Sequence, residues 1–177
     1  TKVDPVEAAE RFGADPLRLY VIKEIAFGGD SDFSWERYDE RYNVDLANNL
    51  GNLVSRVSAI AHQFRDGRLV STGSPGKLLD VAVEVFASYR RAMDTFALHE
   101  GAAAAFRLID ATNEFITETA PWKLAKDPSA SDRLTQVLFD AAEAIRVAAV
   151  LLTPIMPASS AEILRRLDDF ALPAVGV

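Results

Sequence analysis

With 177 residues, 49% apolar and 25% charged, the chain is long enough to bury one good core or a core plus a small appendage, and its composition argues against disorder. It contains no cysteine, which excludes disulfide frameworks, thiolate nucleophiles and cysteine-ligated zinc together. A formal net charge of −7 argues against nonspecific polyanion binding, so any nucleic acid has to be held by a few local contacts.

The first predicted element runs from Val6 to Phe12, started by Asp4-Pro5 and stopped by Gly13. Asp15-Pro16 repeats the device and launches Leu17 to Ile25. Residues 27–32, glycine-rich and polar, read as a loop, and Ser34 caps a short helix through Trp35 and Tyr38. From Asn43 to about Phe64 the stripe Leu46, Leu50, Leu53, Val57, Ile60 and Phe64 predicts a long amphipathic helix, ended by Asp66-Gly67. After an irregular connection over 71–76, a second long helix is expected from Lys77 to Leu98, with Leu78, Ala82, Val85, Tyr89, Ala92 and Phe96 on its buried face. The third covers about Ala102 to Thr119 and uses Phe106, Ile109 and Ile116; Pro121 stops it. Asp127-Pro128-Ser129 precedes the fourth, whose stripe is Leu134, Leu138, Ala141, Ile145, Ala148 and Leu152. Pro154 and Pro157 break that helix, and Ala158 to Leu167 forms a last short one. The expected fold is all-α, a helix bundle with a small N-terminal helical appendage; strand-like alternation is nearly absent.

No apolar run approaches the roughly 20 residues of a membrane span, and Thr1-Lys2-Val3-Asp4-Pro5 lacks a signal-peptide layout. A cytoplasmic protein without membrane partners is expected. The chain does not begin with Met and enters a helix directly, so it reads as a piece of a longer protein.

Catalytic and metal chemistry find no candidates. His62 falls off the apolar stripe of its helix and is expected to be solvated. His99 is expected near the C-terminal, negative end of the second long helix. Neither has metal-ligand spacing to a partner. Acidic pairs such as Asp39-Glu40 and Asp168-Asp169 read as solvated surface.

Two features carry more information. Asp45, Asn48, Asn49, Asn52 and Arg56 flank the apolar stripe of the helix beginning at Asn43, although Asn is a poor helix former. Asn52 and Arg56, four apart, project side by side, an amide next to a guanidinium as suits a base edge. The other reading puts the Asn residues in caps or a buried polar network and pairs Arg56 with an acid. The second feature is Ala120-Pro121-Trp122-Lys123, where Pro121 makes a corner that holds Trp122 either as a stacking platform or as a plug for the bundle end.

Residues 27–34 (FGGDSDFS), 41–56 (RYNVDLANNLGNLVSR) and 119–126 (TAPWKLAK) closely resemble, in order and spacing, successive blocks of methionyl-tRNA synthetases of the bacterial type, class I enzymes. The resemblance extends from Thr1 to about Leu167, with Ser31 standing where many relatives have Gly. The HIGH and KMSKS signatures are absent.

The resemblance implies a C-terminal fragment, non-catalytic in itself, of an enzyme that attaches methionine to tRNA using ATP and Mg; the fragment itself binds no cofactor. Residues 1–39 would be the stem-contact region and 40–177 the anticodon-binding bundle. Its partners would be the anticodon loop (CAU) of the methionine tRNA and the catalytic domain of the same chain. Asn52, Arg56 and Trp122, with Pro121 supporting the corner, match the family's contacts to the first anticodon base. The helical Pro-Trp corner is shared with the enzymes for Leu, Ile, Val and Cys, one alternative; a helical protein-interaction module without RNA binding is the other.

Overall fold

The computed structural model describes residues 3–24, 32–73 and 76–168. The chain begins with two short helices, α1 (Pro5–Phe12) and α2 (Ala14–Glu24). As expected, Asp4 caps α1, its carboxylate accepting the Val6 N–H at 2.9 Å, and Gly13 ends it at φ 99°.

Asp15-Pro16 does not repeat that arrangement. Helix α2 already includes both residues, and the Asp15 carboxylate is buried, accepting the Ser159 N–H at 2.6 Å. Asp15 therefore caps a different helix, α9 (Pro157–Asp168), at its positive end. Arg18, one turn on, donates to the carbonyls of Ile155 (2.7 Å) and Pro154 (2.8 Å), so α2 clasps the turn that leads into α9.

Ser34 caps α3 (Trp35–Arg41), accepting the Arg37 N–H at 3.3 Å. The sequence reading separates this helix from the long one beginning at Asn43, but the two are continuous. The chain passes from α3 through a π-helical stretch (Tyr42–Gly51) into α4 (Asn52–Arg65) without leaving helical geometry. Three Asn residues and a Gly make this stretch a weak α former, and its wide turns bring the Gly51 backbone against the Leu46 carbonyl, where an added Cβ would lie 2.9 Å from the oxygen. Asp66 (φ 49°) and Gly67 (φ 70°) then end α4 in left-handed geometry.

Helix α5 (Lys77–Asp94) ends four residues before the expected Leu98, and α6 begins there, four residues before the expected Ala102 (Leu98–Thr119). The reversal occurs at Phe96, in left-handed conformation (φ 58°). Phe96 is consequently no core residue but 83% exposed, because a stripe extrapolated from α5 does not survive the turn. His99 likewise falls in the first turn of α6, at the positive end of a helix rather than the expected negative one. The single-turn helix α7 (Pro121–Leu124), a 3-10 turn (Pro128–Ala130) capped by Asp127, α8 (Ser131–Leu152) and α9 complete the described chain.

Helices α6 and α8 form the centre, with α5 against both and α4 and α9 against α8. Alanines at 102, 104, 105, 141, 142, 144 and 148 are buried in this core and let the backbones approach, while Phe106, Leu108, Ile109, Leu134, Leu138, Ile145 and Leu152 fill it. A second cluster is built by Ala8, Tyr20 and Tyr38 with Phe12, Phe33 and Trp35 around them. Lys23 bridges this appendage to the bundle, bonding Asp45 at 2.6 Å with its ammonium 4.6 Å from the Phe106 ring centre. Asp39, read from sequence as solvated, is tied to Arg11 across the appendage.

The loop expected over 27–32, including Ser31 but not Asp32, falls outside the described residues, as do Ile25, residues 74 and 75, and Asp169. No helix of the described residues is long and apolar enough to cross a membrane.

Candidate nucleic-acid interface

The polar flank of α4 meets α6 in a chain of side-chain hydrogen bonds. Arg56 Nη2 donates to Asn113 Oδ1 at 2.7 Å, Asn113 Nδ2 donates to Asn49 Oδ1 at 2.7 Å, and Asn49 Nδ2 donates to Asp110 Oδ1 at 2.7 Å. Asn49 on the π stretch reaches both Asp110 and Asn113, whereas Arg56, two turns later, reaches Asn113. The two helices therefore ascend together, and Arg56 sits on the side of this network nearer the C-terminus of α6.

The polar-network reading of this flank holds in part. Asn49 is taken into a polar network, as one reading has it, but Arg56 is held by an amide and not by an acid. Asn52 is exposed, and Arg56 is half-buried with its Nε shielded from solvent and bonded to nothing. Asn113 is the residue the sequence reading misses. An Asn, a poor helix former, in the interior of a 22-residue helix is the signal that could have found it.

Ala120 lies seven positions after Asn113, roughly 10 Å along a helix axis. It ends α6 with φ 44°, a left-handed conformation that costs a non-glycine residue about 1–2 kcal/mol. The strain is held by neighbours on both sides. The Ala120 N–H donates to Ile116 O at 3.1 Å, its carbonyl accepts from Lys123 N at 2.7 Å, and Ala120 and Pro121 are buried.

Trp122 points out of this fixed corner and is 40% exposed. It therefore does not plug the bundle end completely; one part of the indole packs and the rest faces water. Lys123 and Lys126 follow it, both exposed, and among the described residues no acid pairs with either. Of the carboxylates on this part of α6, Asp110 accepts from Asn49 and Glu118 pairs with Lys77.

Among the described residues no group of three or more His, Asp or Glu side chains could hold a metal ion. His62 and His99 are exposed, and His99 lies 4.0 Å from Glu100.

Comparison with known proteins gives this geometry its context. A family described as tRNA synthetases class I (M) matches residues 1–58, and one described as the anticodon-binding domain of methionyl tRNA ligase matches residues 72–173. The chain is 42% identical over 159 residues to the methionine–tRNA ligase of Bacillus subtilis, covering 87% of this chain and 24% of that one. It is 38% identical over 167 residues to that of Streptomyces coelicolor, covering 90% and 31%. A solved Mycobacterium tuberculosis methionyl-tRNA synthetase in complex with methionyl-adenylate superposes with a TM-score of 0.87 at 33% identity, covering 92% of this chain and 33% of that one. These relatives are three to four times as long as the matched part.

The all-helical bundle with its N-terminal appendage is thus of the class found in class I tRNA synthetases. The chain belongs to the family of anticodon-binding domains of methionyl tRNA ligases. That assignment decides against the enzymes for Leu, Ile, Val and Cys and against a module unrelated to RNA.

Proposed function

We propose that this chain binds the anticodon loop of a methionine tRNA and reads the first base of its CAU anticodon with Asn52, Arg56 and Trp122. In single-stranded RNA loops a splayed base is stacked on an aromatic ring while polar groups address its Watson-Crick edge. Trp122 would supply the ring, Arg56 and Asn52 the polar groups. Lys123 and Lys126 would meet loop phosphates, the local positive charge an acidic protein needs.

The observation that carries this reading is the strained Ala120-Pro121 corner. It is a costly way to end a helix, and it holds a large aromatic ring partly in water, just past the end of the helix whose Asn113 anchors the Arg56 guanidinium. Residues 1–39 would serve as the stem-contact region and 40–177 as the anticodon bundle. The separate aromatic cluster of the appendage supports that division, and the continuous α3-π-α4 rod would join the two parts rigidly.

The whole enzyme would be a cytoplasmic ligase attaching methionine to tRNA at the expense of ATP. Its adenylate chemistry, with ATP and Mg, would lie in a catalytic domain of the same chain. This part would act by positioning the tRNA.

Competition between anticodon stem-loops tests the reading. A CAU loop should displace one whose first C is replaced by G or U by roughly 1–3 kcal/mol, about 5- to 150-fold. Equal affinity for the three loops would remove the base-reading role.

A further inference from the structure

Helix α5 is apolar on two sides. Its core contact is made by Leu78, Val85 and Ala92, yet Leu79, Val83 and Phe86 recur in steps of four and three along another side and are 50%, 62% and 56% exposed. Between this row and α8 runs a groove of about 150 Å³, with Leu79 and Ala82 on one wall and Phe139, Ala144 and Val147 on the other. Val150, exposed, extends the α8 wall by one turn. A row of three bulky side chains in water beside an apolar groove is the form in which an amphipathic helix is received, with anchors at i, i+4 and i+7.

The charge around the groove selects the occupant. Asp80 and Glu84 follow the exposed row on α5, and among the described residues no cation pairs with either. Asp140, in the groove, accepts from Gln136 Nε2 at 2.8 Å and has no cation partner among the described residues. Glu143 is neutralised by Arg146, and Arg90, beyond Phe86, faces Asp94 at 3.8 Å. The surroundings therefore carry an excess of negative charge. A second copy of this chain would bring the same carboxylates against them, and an RNA backbone would meet like charge. We propose that the α5/α8 groove docks a lysine- or arginine-rich amphipathic helix of a protein partner, its apolar face on Leu79, Val83 and Phe86 and its cations beside Asp80, Glu84 and Asp140.

The test uses the full chain and a synthetic helical peptide of about four turns, with Leu and Phe at the anchor spacing and Lys on the flanks, followed by fluorescence anisotropy. A second peptide carries Glu in place of every Lys. The lysine peptide binds at low salt and weakens at high salt, while the glutamate peptide does not bind. Phe86→Ser and the pair Asp80→Lys with Glu84→Lys each weaken binding roughly tenfold or more, about 1.4 kcal/mol. These sites are exposed, so unfolding curves should stay unchanged; if Phe86→Ser alters them, Val83→Ser replaces it.

Equal binding of the two peptides, or binding indifferent to both surface variants, overturns the proposal. So does sedimentation showing that the chain pairs with itself through Phe86.

Discussion

Arg56 is where the structural and the RNA-binding roles of this site can be separated. Arg56→Ala removes the 2.7 Å bond to Asn113 Oδ1 and leaves that oxygen without its donor. A bond involving a charged group contributes about 1.5–3 kcal/mol when shielded. Arg56 is half-buried and water can replace part of the bond, so the expected stability loss is about 1–2 kcal/mol, read by urea unfolding. Binding of a CAU stem-loop should fall by roughly 5- to 150-fold, and the preference for C at the first position should fall with it. Arg56→Lys keeps the charge and loses the planar fork, and should recover affinity without recovering discrimination. Asn113→Asp places a carboxylate against the guanidinium. It should weaken RNA binding, because the cation is then neutralised inside the protein, and it also costs stability, because the Nδ2 donation to Asn49 Oδ1 is lost. If Arg56→Ala loses stability but keeps both affinity and first-base preference, Arg56 is a strut between two helices and the base-reading assignment fails.

Trp122→Ala should weaken tRNA binding about ten- to a hundredfold in the full-length ligase and leave methionyl-adenylate formation intact, with Trp122→Phe retaining most of the affinity; a parallel fall in both reactions would make the ring a packing element. Asp15→Ala should cost about 2–3 kcal/mol by uncapping α9, lowering the melting temperature by about 4–12 °C, with Asp15→Asn in between; an unchanged melting curve would contradict the clasp of α2 on α9. Glu162, bonded to Arg165 at 2.9 Å and Arg166 at 2.7 Å, should titrate at about 2 instead of the ordinary 4.5 in a carbon-13 NMR experiment, and Arg165→Ala with Arg166→Ala should return it to the ordinary value. Its folded pKa is the lower one, so its contribution to stability is present above about pH 4.5 and fades as pH falls toward 2, weakly because the carboxylate is exposed.

Where periodicity dominates, the fold was legible. The stripe from Leu134 to Leu152 is buried at every expected position, since α8 has neighbours along its whole length and no special backbone geometry intervenes. The failures come from distant tertiary partners and from local backbone geometry that periodicity does not encode. Asp15 resembles a local cap but serves a helix beginning at Pro157; Phe96 continues a stripe by spacing, yet sits at a left-handed reversal that has no Gly to announce it. The π stretch was equally hidden, because its apolar residues keep a spacing close to that of an α-helix. At the site, Asn52, Arg56 and Trp122 stood out as polar or aromatic residues in unexpected places. Asn113 did not, since its significance is to link Arg56 to Asn49, a relation between helices that spacing within one helix cannot express.

The Asp110–Asn49–Asn113–Arg56 chain bears on how a protein of net charge −7 could bind RNA locally. Two amides stand between the carboxylate and the guanidinium, so Arg56 is oriented by the network without forming an ion pair in it. A direct pair would hold the side chain as firmly but would neutralise the cation and occupy its fork. An amide satisfies one Nη2 hydrogen and leaves the positive charge available to an acceptor from outside. The same economy recurs at the corner, where Lys123 and Lys126 stand without acid partners among the described residues while Glu118 is taken by Lys77. With Glu118 taken by Lys77 and Arg56 held by an amide, short-range contacts at this end of the bundle can outweigh a repulsion that salt screens beyond about 10 Å.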